Sequence, residues 1–260
     1  MKESIISHYE NYDEDQRAFG AQSEQLEFLY TKKLIEQYLS SYMSVIELGC
    51  GTGYYGLYLA DKCESYCGVD VSPQNIERFK EVIAKRELWN ATATVGDATS
   101  LAEISDNSFD IVLNLGPIYH LPQDERQKAI LESKRICKDG GIILFAYINK
   151  IGAYLRACLG KEFKMHYPNK EVNKCILQDG MDDVMPDIFF YTMPEEIENE
   201  VTENGLSVLK NVGVDFAFTS DMVNSAKSEQ YSAWKEILDY MVESSSCTGT
   251  SNHAVLVCQK

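Results

Sequence analysis

The segment Val45-Ile46-Glu47-Leu48-Gly49-Cys50-Gly51-Thr52-Gly53 constrains this chain more than any other. A short apolar strand runs straight into a glycine-rich turn, and the turn into the helix-like stretch Tyr54 to Lys62. Glycines permit a tight turn and let a ligand approach the backbone without meeting a Cβ, while the first turn of the following helix offers unpaired N–H groups. Strand, loop and helix in this order form the opening unit of a parallel sheet wound with helices.

The same alternation continues. Five strands are expected before residue 150, at Val45 to Leu48, Tyr66 to Asp70, Thr92 to Val95, Phe109 to Leu113 and Gly141 to Tyr147. Helices are expected between them at Pro73 to Arg86, with proline at a permitted helix start, and at Gln123 to Ile136. Right-handed crossovers place such helices on both faces. Pro194 to Asn204 reads as a further helix stopped by Gly205. Two late strands, Leu206 to Val212 and Ala254 to Cys258, flank the helical stretch Tyr231 to Met241 and bring the total to seven. The expected fold is α/β: a Rossmann-like three-layer sandwich with a mostly parallel seven-stranded sheet.

No repeat or linker divides the chain, so residues 1–260 read as one domain. Residues 1–41 form an N-terminal helical cap, 42–147 the ligand-binding core, 148–193 an insertion of the kind that forms lids, and 194–260 the part that completes the sheet. The run Ser244 to Ser251 reads as a flexible loop.

With 45% apolar and 25% charged residues, the composition is that of an ordinary folded protein. No stretch approaches the roughly 18 apolar residues of a membrane span, and no basic cluster leads into an apolar run at the N-terminus, so a soluble cytoplasmic protein is expected. The eight cysteines are scattered and read as reduced thiols. Cys63 and Cys67 have no second ligand pair at metal-site spacing, so no metal is expected. Forty acidic against 24 basic residues give a net charge of −16 with no compensating basic patch, which disfavours nucleic acid and leaves a small molecule as the expected partner.

The glycine spacing is E-x-G-x-G-x-G, not the G-x-G-x-x-G that seats a dinucleotide pyrophosphate. The next strand ends at Asp70, whose carboxylate can accept two hydrogen bonds from a ribose diol; NAD sites use the same device, so Asp70 alone does not name the ligand. Gly96-Asp97-Ala98 closes the third strand. All three elements fall beyond carboxyl ends of strands, where open α/β sheets bind ligands.

An acidic residue followed by closely spaced glycines resembles the first motif of the class I S-adenosylmethionine-dependent methyltransferases. The resemblance implies that Gly49, Gly51 and Gly53, with Cys50 between them, lie under the methionine portion of S-adenosylmethionine, with Glu47 supporting its amino-acid end. It places Asp70 and Val71 at the ribose, and Asp97 and Ala98 at the adenine. Similar N-terminal segments close over the cofactor, which makes Tyr9, Tyr12 and Arg17 candidates for that task. The run Asn114-Leu115-Gly116-Pro117-Ile118-Tyr119-His120-Leu121 is similar to the G-P-L-Y-H-L form of small-molecule and uncharacterised bacterial methyltransferases, and the resemblance places Asn114 and Leu115 at the cofactor. It departs from the D/N-P-P-Y motif of enzymes acting on bases or glutamine. Lys138 to Gly141 and Tyr191 to Glu196 resemble further family segments.

The implied reaction is transfer of a methyl group to a small molecule by in-line displacement, a reaction that asks the protein mainly for proximity and alignment. If the acceptor must lose a proton, His120 and Tyr119 are the candidate catalytic residues. The aromatic content of the insertion and the segment after it, including Tyr154, Phe163, Tyr167, Phe189 and Phe190, suits an apolar acceptor and a plain core equally. Two alternatives stay open: a catalytically silent S-adenosylmethionine-binding protein, and an NAD-dependent oxidoreductase.

Overall fold

Apolar strands able to bury both faces belong at the middle of a wound sheet, and β1 (Ser44–Leu48) takes that place. In a computed structural model, which describes residues 2–11, 19–159, 170–181 and 188–260, β1 pairs in parallel with β2 (Ser65–Asp70) on one side and β4 (Phe109–Asn114) on the other. Outward from these lie β3 (Ala91–Val95) and β5 (Cys137–Asn149). Beyond β5 come β8 (His253–Gln259) and the edge strand β7 (Ser207–Gly213), giving the order β3-β2-β1-β4-β5-β8-β7. Among the described strands, only β8 runs against its neighbours. These are the seven expected strands; a two-residue β6 (Tyr191–Thr192) also pairs with the end of β5 at Ile148 and Asn149.

The side chains of β1 alternate between two cores. Val45 joins the cluster covered by α2 (Gln22–Glu36), α3 (Tyr54–Leu59), α4 (Pro73–Lys85), α9 (Ser220–Ser225) and α10 (Ser228–Glu243). Ile46 and Leu48 join the opposite cluster under α5 (Gln123–Ile136) and α8 (Pro194–Glu203). A short α1 (Lys2–Asn11) precedes α2, and the insertion contributes α6 (Lys150–Leu159) and α7 (Lys170–Lys174). Among the described residues, no helix is long and apolar enough to cross a membrane.

Two details differ from the sequence reading. The segment Lys138 to Gly141 lies inside β5 as an irregularity: Phe109 pairs with Cys137 and Ile111 with Ile142, so the extra residues bulge between two paired positions. Gly140 supplies the positive φ of 75° this requires. The run from Ser244 is ordered, with α11 (Ser245–Thr248), because buried Asn149 donates from Nδ2 to the carbonyls of Thr248 and Ser251 and to Ser251 Oγ, at 2.8 to 3.0 Å.

Register sets the site. Leu48 pairs with Val69 and with Asn114, and Asp70 with Val95, so the carboxyl ends of four strands finish at one level. The antiparallel β8 begins where its neighbours end, which brings His253 to the same edge.

Candidate active site

A cavity of about 190 Å³ opens at this edge, between the strand ends and helices α1 and α2. Glu47, Gly49, Cys50 and Gly51 line it from β1 and its loop, Asp70 and Val71 from β2, and Asp97 and Ala98 from the end of β3. Leu115, Tyr119 and His120 line it from the segment after β4. Two sequence candidates stand apart from the wall. Asn114 is fully buried and donates its amide to Ser133 on α5 at 3.1 Å. Gly53 faces Phe79 on α4. Tyr12 and Arg17 lie outside the described residues.

The three loop glycines all have positive φ, but each is required for a different reason. A Cβ at Gly49 would lie 2.6 Å from Pro117 Cδ, and one at Gly53 2.1 Å from the Phe79 ring. At Gly51 a Cβ would meet nothing within 4 Å. Gly49 and Gly53 therefore let the loop pack, whereas Gly51 turns bare backbone towards open space at the cavity wall.

Asp70 is held rather than solvated. Its Oδ2 accepts from the Gly51 N–H at 2.9 Å, and its Oδ1 from the Ser72 N–H at 2.8 Å. Burial pushes its carboxyl above the usual range despite those bonds and a weaker one from Asn75. Glu47 is buried deeper. Burial raises its carboxyl to about 8 and the charge of Asp70 adds to this, against a hydrogen bond from the Tyr66 hydroxyl. A cation placed beside this group favours its charged form, with the proton released to solvent. Burial and then Glu47 hold the Cys50 thiol well above its ordinary value, which favours the protonated form over the thiolate. Asp97 Oδ1 accepts from the backbone N–H and hydroxyl of Thr99 at 2.9 and 2.8 Å, which fixes its rotamer at the cavity.

The state of His120 follows from its partners. Nδ1 lies 2.6 Å from the Ile188 carbonyl, an acceptor only, so Nδ1 carries the hydrogen and Nε2 its lone pair. Nε2 accepts from the Tyr9 hydroxyl at 2.8 Å. Burial drives this imidazole down to about 4, with His8 adding to the effect, so it is neutral at physiological pH. Tyr9, Ile5 and Ile6 carry α1 across the cavity, and His8, Tyr119 and Phe189 gather round His120 in edge and stacked contacts.

Sequence reasoning missed one group altogether. Glu27 on α2 and His253 at the start of β8 both line the cavity, and Asp215, just after β7, binds His253. No local spacing joins residues that far apart in the chain.

Residues 45–141 match the family model of the methyltransferase domain. A ubiquinone biosynthesis O-methyltransferase of Bartonella quintana is 23% identical over 189 residues, 71% of this chain and 68% of that protein. An ajmaline N-methyltransferase of Rauvolfia serpentina is 29% identical over 110 residues, 41% of this chain and 37% of that one. In fold, the chain is similar to a solved methyltransferase structure from Methanosarcina mazei, with TM-score 0.58 and 18% identity over 87% of this chain and 96% of the other. Residues 45–141 therefore carry a methyltransferase domain, and the matches along the chain, taken with the strand-end geometry, support a class I S-adenosylmethionine-dependent methyltransferase. Its cofactor is accordingly S-adenosylmethionine and its reaction methyl transfer.

Proposed function

We propose that this protein methylates a small-molecule acceptor, using the strand-end cavity to hold S-adenosylmethionine against it. The observation that carries this reading is the link between Gly51 and Asp70, a buried carboxylate bonded to the one loop glycine whose Cβ direction is open. Two of the relatives named above carry small-molecule names, one of ubiquinone biosynthesis and one of ajmaline, which supports an acceptor of that class.

In this reading Asp70 receives the ribose hydroxyls, and the loop from Gly49 to Gly51 passes under the methionine portion. Glu47, charged once it sheds its proton, meets the ammonium end. Asp97 and Ala98 face the adenine. When bound, the cofactor supplies a methyl group already activated by a sulfonium. The residues around it then need to align the acceptor and keep water out. Tyr119, Phe189 and α1 provide an apolar wall for that purpose. His120 holds its Nε2 lone pair against Tyr9, so we assign it the closing of α1 over the cavity rather than proton removal. Asn114 supports the β4 end through Ser133, and Gly53 supports the loop through Phe79.

Calorimetric titration with S-adenosylmethionine, S-adenosylhomocysteine and NAD tests the reading, on the natural sequence and on Asp70→Ala. Both sulfur ligands should bind and NAD should not, and the variant should lose the binding. Binding of NAD alone would return the chain to the oxidoreductases. Binding of the sulfur ligands without turnover on O-, N- and S-nucleophile panels would favour a silent binding protein.

A further inference from the structure

Glu27, His253 and Asp215 come from three separate elements and meet at one point. The Nδ1 atom of His253 lies 2.8 Å from Asp215 Oδ2 and 3.3 Å from Glu27 Oε2. One potential ligand atom from each residue falls within 4.8 Å of the other two. Glu27 is 9% exposed and His253 7%, so little water reaches the group. We propose that these three side chains bind one divalent transition-metal cation, such as Zn²⁺ or Mn²⁺, in the wall of the cavity.

The kinds of donor are the first argument. Two carboxyl groups converge on a single imidazole nitrogen, which has at most one proton to share between them. A cation at that point can meet both oxygens and the nitrogen lone pair at once.

Geometry is the second. Ligand bonds of about 2.0–2.1 Å in a tetrahedral site imply ligand-to-ligand edges of roughly 3.3 Å. The Glu27 to His253 edge has that length, and the His253 to Asp215 edge needs to open by about 0.5 Å to reach it. Asp215 is pre-set, because its Oδ1 is already taken by the His253 backbone N–H at 2.6 Å and Oδ2 faces the ring. One nitrogen and two oxygens make a donor set suited to zinc or manganese, whereas calcium and magnesium favour oxygen alone. Glu27 and His253 also face the cavity, so a ligand atom from inside it can complete the shell, as in zinc sites with three protein ligands. A role in holding the methyl acceptor rests on the methyltransferase reading; the binding of the metal does not.

The full-length protein, stripped with a chelator, is titrated calorimetrically with Zn²⁺ and, by loss of the free-ion EPR signal, with Mn²⁺. One site per chain is expected. Glu27→Gln and Asp215→Asn should each weaken it by about a hundredfold, since even an outer partner of a metal ligand is worth roughly 10–100-fold. No saturable binding by the natural protein, or binding that both folded variants retain unchanged, overturns the site. Co²⁺ loaded into the natural protein gives a reading that does not depend on the variants folding. A visible d–d spectrum without a thiolate charge-transfer band supports the three residues, and a thiolate band assigns the ion to cysteines and overturns the proposal. A parallel S-adenosylhomocysteine titration keeps the two readings apart, because its failure would remove the methyltransferase reading and leave the metal result standing.

Discussion

The Tyr9 hydroxyl donates to His120 Nε2 at 2.8 Å across 111 positions of sequence, and it is this bond that ties α1 to the segment after β4. The other ring nitrogen is tied to Ile188, in the segment that leads into β6. One neutral imidazole thus joins two stretches of chain at the cavity mouth. Tyr9→Phe removes the bond and keeps the ring. A hydrogen bond of this kind contributes about 0.5–1.5 kcal/mol, so amide exchange within Lys2–Asn11 should quicken by about 2- to 10-fold by mass spectrometry. Unchanged exchange in α1 would remove Tyr9 as its anchor.

His120 also sets an acid limit. Its folded value, about 4, lies below that of an unfolded histidine. Its contribution to stability is therefore complete above the unfolded value and is lost as pH falls from about 6.5 through 4. Thermal midpoints should decline over that window in the natural protein and decline less in His120→Gln. Parallel curves for the two proteins would refute the assignment.

Glu47 acts in the opposite sense. Its folded value of about 8 lies above that of a free carboxyl, so its contribution is complete below about pH 4.3 and is lost as pH rises through 8. Glu47→Gln should flatten the alkaline side of the stability profile, measured as thermal midpoint against pH. If it does not, Glu47 is ionised in the empty protein.

The same carboxyl makes a prediction about ligand binding. An ammonium beside Glu47 favours its charged form, so binding of S-adenosylhomocysteine at pH 7 should expel protons. Apparent binding enthalpies in two buffers of different ionisation heat should then differ in proportion to the protons released. Equal enthalpies would show that the ligand's amino group lies elsewhere.

Gly51 and Gly53 should fail differently when changed to alanine. At Gly53 the new methyl meets the Phe79 ring and the backbone is left-handed. A loss of at least about 2 kcal/mol in chemical denaturation is expected. At Gly51 the methyl has room and the cost is the left-handed backbone alone, about 1–2 kcal/mol. That variant should fold and lose ligand affinity, because the methyl occupies the space a ligand needs. Unimpaired binding by folded Gly51→Ala would displace the ligand from this loop.

The features legible in the sequence were those written in short stretches. The strand into Gly49, the acidic end at Asp70, the helix starting at Pro73, and the helix Gln123–Ile136 each depend on neighbours a few residues apart. The ordered run after Ser244 was read as a loop because its stability comes from Asn149, on a strand far back in the chain. Asn114 and Leu115 are adjacent in sequence, but Asn114 closes β4 with its side chain in the core while Leu115, just past the strand, faces the cavity, which the motif alone does not tell. The cluster of Glu27, Asp215 and His253 was invisible for the same reason as the antiparallel sense of β8: both depend on how distant segments are brought to one sheet edge.

Gly49 and Pro117 touch before any ligand arrives. In the function proposed above, the floor under the methyl donor and the wall nearest the acceptor are therefore one mechanical part, and neither can be redesigned alone. An engineer seeking a new acceptor by enlarging residue 116 or 117 would disturb the donor loop in the same stroke. In that reading the tolerant positions for altering selectivity lie two residues further on, at Tyr119, and across the mouth at Phe189, where side chains meet side chains and the glycine loop is not asked to move.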